Sequence, residues 1–287
     1  MLFADAASAY LADKRRRVRA STLAGYESAL RVHVLPRWGQ VEVGEIDVAD
    51  IQSWVDSFEQ PGAAEKAYKT LRQVIRWAIR RLGLRVYDPT SQGVELPRKA
   101  AHEPRVLAPR ATRELLRGLW GSEIEAVVLC AATLGLRRGE ACALRWSDIN
   151  FRTGEVRVRA SRQVVAREVV EVEPKTERSR RTLVLPRFAL VRLRSLRGHG
   201  LLCELRPDAV SRRLAAAMRR LGLGSMSMSE LRHSWASQAI EAGVGIETVA
   251  LLLGHVGIST AYEHYIRPRR TVCREAQRAW EALVMRA

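Results

Sequence analysis

Apolar residues recur at three- and four-residue steps along most of this 287-residue chain, and alternation replaces that spacing between residues 155 and 185. Helical spacing gathers apolar side chains on one face of a helix, and alternation gathers them on one face of a strand. The pattern predicts a mainly α protein with a small antiparallel β-sheet. A chain of this length, 47% hydrophobic, can bury a sizeable core and is expected to form two domains.

Residues 1–97 read as helix throughout. The first helix runs from about Phe3 to Ala20 and ends in Lys14, Arg15, Arg16 and Arg17. Ser21 and Thr22 are positioned to cap a second, which carries Leu23, Tyr26, Leu30 and Val34 until Pro36 and Gly39 stop it. Asp47 caps a third, with Ile51, Trp54, Val55 and Phe58 on one face. The fourth, about Ala63 to Leu82, turns Ala67, Leu71, Val74, Ile75, Ala78 and Leu82 inward. Its other side presents Lys69, Arg72, Arg76 and Arg80 as a basic stripe for which no acidic neighbour four residues away is expected. A stripe of this kind is either a solvated face or a row of phosphate contacts.

Pro97, Pro104 and Pro109 break helical continuity over 98–109, where Arg98, Lys99 and Arg105 make a basic linker. A second domain, 110–287, follows. Thr112 is positioned to cap a short helix to Trp120, and Ser122 to Thr133 reads as a strongly apolar helix ended by Gly135. Alternating Val156 and Val158, then Val169, Val170 and Val172, then Leu183 and Leu185 predict three antiparallel strands, with Pro174-Lys175-Thr176 in the turn before the last. Helices resume at Phe188. Val210, Leu214, Ala217, Met218 and Leu221 line one, Arg232 and His233 lie near the start of the next, and Val272, Ala276, Trp280, Leu283 and Val284 make a terminal amphipathic helix.

Charge narrows the partner. Lys and Arg number 48 against 31 Asp and Glu, a formal +17, which suits a polyanion such as nucleic acid. No apolar run reaches the ~20 residues of a membrane span and no signal-peptide order opens the chain, so a cytoplasmic protein without membrane contact is expected. Cys130, Cys142, Cys203 and Cys273 form no C-x-x-C pair, so buried thiols are expected rather than disulfides or zinc.

Between Ser229 and Tyr265 the chain concentrates Ser-Glu-Leu-Arg-His (229–233), Leu-Gly-His (253–255) and Tyr-Glu-His-Tyr (262–265). Arg232 suits a bidentate grip on phosphate oxygens, His255 a proton exchange, and a tyrosine hydroxyl a covalent attack. This pattern resembles the carboxyl-terminal signature of the tyrosine recombinases, or phage-type integrases. Leu136-Arg137-Arg138-Gly139-Glu140 followed by Ala143 to Ile149 is similar to the family's first arginine box, and Thr22, Tyr26, Pro36 and Gly39 look like its helical core-binding domain.

The resemblance implies an N-terminal helical core-site DNA-binding domain, with Lys69, Arg72, Arg76 and Arg80 on phosphates, joined to an α+β catalytic domain. Arg137 and Arg232 would clamp the scissile phosphate, Lys175 would protonate the leaving 5′ oxygen, and His255 would hydrogen-bond a nonbridging oxygen. Tyr265, ten residues after His255, would be the nucleophile, with Tyr262 an aromatic anchor. Glu140 would orient Arg137, or else be a plain helix-surface acid. A turn lysine such as Lys175 is otherwise simply solvated, and His233 is expected to brace its helix. Where the family usually has histidine three residues before its second arginine, this chain has Ser229, which cannot take a proton from tyrosine near neutral pH.

Implied too are a 3′-phosphotyrosyl intermediate without cofactor or metal, integration or excision of a mobile element, and a homo-tetramer on synapsed attachment sites in double-stranded DNA. A directionality factor, a docking role for the terminal helix, and the lack of a separate arm-binding domain complete the expectation. A type IB topoisomerase or a noncatalytic DNA-binding relative are the alternatives.

Overall fold

A computed structural model describes residues 1–98, 104–173 and 180–254, built mainly from helix with small antiparallel sheets. The chain divides into two compact units, the first covering Met1–Glu103 and the second most of the sequence from Pro104 onward. No described helix is long and apolar enough to cross a membrane.

In the first unit α1 (Phe3–Arg15), α2 (Ala20–Ala29) and α3 (Leu35–Trp38) precede α4 (Val48–Asp56) and α5 (Pro61–Leu82). Pro61 supplies a preset φ in the first turn of α5 and Gly83 ends it in the left-handed region at φ 68°. Ala64, Ala67, Leu71, Val74, Ile75 and Ala78 form its buried face, packed in one core with Phe3, Tyr10, Trp38 and Ile51. Trp38 and Trp54 meet edge-on with centroids 5.7 Å apart. Asp47 caps α4 as expected, accepting the Asp50 N–H at 2.7 Å.

Several local expectations need correction. The first helix stops at Arg15, because the chain has already turned extended by Arg19 to begin α2. Ser21 and Thr22 therefore fall inside α2 and cap nothing. Pro36 does not stop the helical run. A π turn over Leu30–Val34 precedes it, and the wider register accommodates a ring that would clash with an α-helical carbonyl. Leu82, in the last turn of α5, is exposed rather than buried.

The second unit is arranged around α7 (Glu125–Leu134), which contacts α6 (Pro109–Gly118), α8 (Arg138–Ala143), α9 (Arg187–Ser195) and α11 (Met228–Glu241). Its apolar residues are buried all round, the signature of a helix through the middle of a domain. Completing the unit are α10 (Pro207–Arg220) and α12 (Ile246–Leu253). Pro109 starts α6 instead of interrupting it, and Thr112, expected as its cap, sits one turn inside with its hydroxyl donating to the Ala108 carbonyl. Upstream, the buried Leu107 donates its N–H to Ser234 Oγ at 3.0 Å and accepts from Gln238 Nε2 at 2.8 Å.

Among the described residues four strands replace the three expected. β1 (Glu155–Val158) pairs antiparallel with β4 (Arg181–Val184), Glu155 opposite Val184, while β2 (Ser161–Val165) pairs with β3 (Glu168–Val172). Ala166 and Arg167, both at positive φ, make the tight turn between β2 and β3. β2 opens Ser-Arg-Gln, too polar for the alternation rule to detect.

Candidate active site

Helix α7 ends at Gly135, whose φ of 62° turns the chain sharply into extended Leu136 and Arg137 before α8 begins. A side chain at Gly135 would have no room: its Cβ would lie 2.6 Å from Trp235 and 2.8 Å from Leu253. The turn sets Arg137 just before the first turn of α8, three residues from Glu140. There Glu140 accepts the Arg137 main-chain N–H and the Arg137 guanidinium, each at 2.9 Å. Glu140 is only 5% exposed, so it is not a surface acid.

A third residue enters from β4. Arg181 donates to both Glu140 oxygens, at 3.2 and 3.0 Å, and through Nε to the Leu252 carbonyl at 2.7 Å. Arg232, on α11 and 6% exposed, donates to the Gly135 carbonyl and the Leu253 carbonyl, each at 2.8 Å. Arg137 reaches the same place, donating to the Leu253 and Gly254 carbonyls at 3.5 and 3.3 Å. Three arginines thus converge on the carboxyl ends of α7 and α12, where carbonyls without intrahelical donors and the negative ends of the helix dipoles favour cations.

These four charged side chains carry three positive charges and one negative, a formal +2. Burial pushes the Glu140 carboxyl up, but the hydrogen bonds and charge of Arg181, then those of Arg137, more than offset it and hold the group below its ordinary 4.5. Glu140 therefore stays ionised and keeps both arginines aligned. Arg137 retains 44% of its side-chain exposure, so its donors remain open to an anion such as a phosphodiester.

Ser229 is exposed in the first turn of α11, behind a cap formed by Ser227 and Glu230, and His233 is half-buried next to Arg232. Lys175, His255, Tyr262 and Tyr265 lie outside the described residues, as does the expected terminal helix from Val272. Arg181 is the site residue that sequence reasoning missed. Its signal was present: alternation places it on the same face of β4 as the buried Leu183.

The first unit holds a second feature, an open groove of about 610 Å³. Lys69, Arg72, Arg76 and Arg80 line it, joined by Lys14 and Arg81, which the sequence reading did not single out. Contrary to expectation, Lys69 is paired with Glu65 four residues earlier, and Arg76 meets Asp88 at 3.0 Å. Arg72 and Arg80 have no acidic partner among the described residues. Tyr10, Tyr26 and Trp77 interleave aromatic surface with the charge, and the Tyr10 hydroxyl donates to Gln73 at 2.9 Å. Burial pushes the Tyr10 phenol well up, so it remains a donor.

Comparison with known proteins follows the same division. Residues 121–271 match the model of the phage integrase family, and residues 2–58 match that of the phage integrase N-terminal SAM-like domain. A "Tyrosine recombinase XerC-like" protein of Caldanaerobacter subterraneus subsp. tengcongensis is 25% identical over 275 residues, covering 80% of this chain and 70% of its own. The tyrosine recombinase XerC of Pseudomonas fluorescens is 26% identical over 281 residues, covering 91% and 90%.

Among solved structures, the Tn1549 transposon integrase in complex with a circular intermediate DNA superposes with a TM-score of 0.80 at 15% identity, over 98% of this chain and 99% of that one. A lambda integrase tetramer bound to a Holliday junction gives a TM-score of 0.71 at 17% identity, over 92% and 78%. At these identities the structures share a fold with this chain.

Proposed function

The chain belongs to the phage integrase family of site-specific recombinases, which cut and rejoin DNA, and from that premise we propose the residues and partners through which it acts. Tyr265 is the nucleophile. Its phenolic proton passes to solvent as the oxygen attacks the scissile phosphorus and the bond to the 5′ oxygen breaks, leaving a 3′-phosphotyrosyl ester and a free 5′ hydroxyl. Arg137 and Arg232 stabilise the charge on the nonbridging oxygens, His255 hydrogen-bonds one of them, and Lys175 delivers the proton to the departing oxygen. Because the ester conserves the bond energy, a 5′ hydroxyl from another strand reverses the step without a high-energy cofactor.

The observation that carries this reading is the convergence of Arg137 and Arg232 on the end of α12, immediately before His255 in the sequence. Two guanidinium groups from distant parts of the chain are thereby held close enough to share the Leu253 carbonyl. Glu140 supports Arg137 through its carboxylate.

The partner is an attachment site in double-stranded DNA, gripped in part by Lys69, Arg72, Arg76 and Arg80 in the basic groove. On the lambda integrase precedent, four copies act on two synapsed duplexes, in the cytoplasm of the host cell, with a directionality factor choosing integration or excision. The test uses a core site selected by the protein from randomised duplex DNA, then nicked to trap the intermediate. A covalent protein–DNA adduct is expected from the wild type and none from Tyr265→Phe, while Tyr262→Phe still forms it. Strand exchange should require two such sites. Relaxation of any supercoiled plasmid without a partner site would instead identify a topoisomerase.

A further inference from the structure

We propose that Arg181 is a positioning residue for the reaction, setting the Arg137 clamp through Glu140 and tying it to the carboxyl end of α12. The inference rests on the reading of Arg137 as a phosphate ligand. Arg181 acts through its neighbours, because its Nε, Nη1 and Nη2 all donate to protein acceptors. What it does hold is specific. Its guanidinium fork engages both oxygens of Glu140, and its Nε reaches the Leu252 carbonyl at 2.7 Å.

The geometry explains why a second arginine is required there. Glu140 must accept from Arg137 at its main-chain N–H and at its guanidinium. A carboxylate held by Arg137 alone could swing to follow that partly exposed side chain. Arg181, fixed on β4 and on α12, pins the carboxylate from the buried side and leaves Arg137 a single orientation, with its remaining donors toward the Leu253 and Gly254 carbonyls. Arg181 also joins elements 71 residues apart, so β4, α8 and α12 meet at one guanidinium.

The experiment compares single-turnover adduct formation on the selected, nicked duplex carrying either an ordinary scissile phosphate or a methylphosphonate. The methyl group removes the negative charge that a guanidinium clamp stabilises. Arg137→Ala is the reference and should lose much of its defect on the neutral substrate. Arg181→Gln, which cannot supply the fork, is expected to slow adduct formation on phosphate on the order of 100-fold, the scale of a misplaced catalytic group. On methylphosphonate its defect should shrink in parallel with that of Arg137→Ala, with DNA affinity close to wild type and all rates compared at a temperature where each variant remains folded. Arg181→Lys keeps the charge without the fork and should fall between; it carries the comparison should Arg181→Gln fail to fold. Equal defects on the two substrates would reduce Arg181 to a structural role, and a wild-type rate on phosphate would remove it from the reaction. Absence of any adduct from the wild-type protein would overturn the assignment of the nucleophile itself, and this proposal with it.

Discussion

At Glu140 burial and ion pairing oppose each other, and pairing wins: desolvation raises the carboxyl, while Arg181 and then Arg137 bring it below its ordinary value. A depressed folded-state pKa means stability that is fully present above the unfolded value, about 4.3, and is lost as pH falls through the folded one. Glu140→Gln should therefore flatten the acid limb of a stability-versus-pH curve. At neutral pH it should cost up to roughly 3–5 kcal/mol, because two arginines lose their carboxylate. Urea unfolding of both proteins between neutral and acid pH checks this, and an unchanged acid limb would mean the carboxylate does not stay charged in the fold. Arg137, Glu140 and Arg232 stood out in the sequence through their resemblance to family motifs, and the structure brings them together. Arg181 carried only the weaker signal of strand alternation: it follows Arg178, Ser179 and Arg180 in an ordinary basic run, and its contacts depend on β4 meeting α12 in three dimensions. The buried thiols show the same logic in reverse. Burial pushes Cys130 and Cys142 up to about 12, which the apolar surroundings of their helices foretold.

Elements were most readable where the helical period ran uninterrupted, as in α5 and α7, and least where backbone chemistry overrode it. Pro36 looked like a stop, yet one turn of π register carries the chain through it. Pro109 looked like an interruption, yet the same ring preset the first turn of α6. At Gly135 the signal and the structure agree, and the reason is steric as well as conformational. The residue ends α7, directs Arg137, and supplies a carbonyl to Arg232, all at a positive φ with Trp235 and Leu253 against its Cα. Gly135→Ala is expected to lose about 1–3 kcal/mol from backbone strain, and more from displacing the neighbouring side chains. Chemical denaturation measures the loss, and single-turnover adduct formation should fall with it because Arg137 and Arg232 shift together. A fully stable, fully active alanine variant would show that the turn is not constrained in this way.

Across the whole molecule, a formal +17 foretold a polyanionic partner, but charge count alone could not say which cations are uncommitted. Lys69 and Arg76 already have carboxylate partners in Glu65 and Asp88, whereas Arg72 and Arg80 have none among the described residues. Arg72→Ala should therefore lower the salt dependence of DNA binding by about 0.9 in the logarithmic slope, the value of one lost phosphate contact. Arg76→Ala should lower it less, since a phosphate must compete with Asp88 for that side chain. Anisotropy titrations across a range of sodium chloride read the slopes directly, and an Arg72→Ala slope equal to wild type would return the groove to solvent. The Leu253 carbonyl, shared by Arg137 and Arg232, has a consequence for control at this scale. Arg137 and Arg232 both donate to this one carbonyl at the end of α12, so a displacement of that peptide group reaches both cations at once. With these two cations clamping the scissile phosphate as proposed, the shared acceptor would make them a single latch rather than two independently adjusted parts.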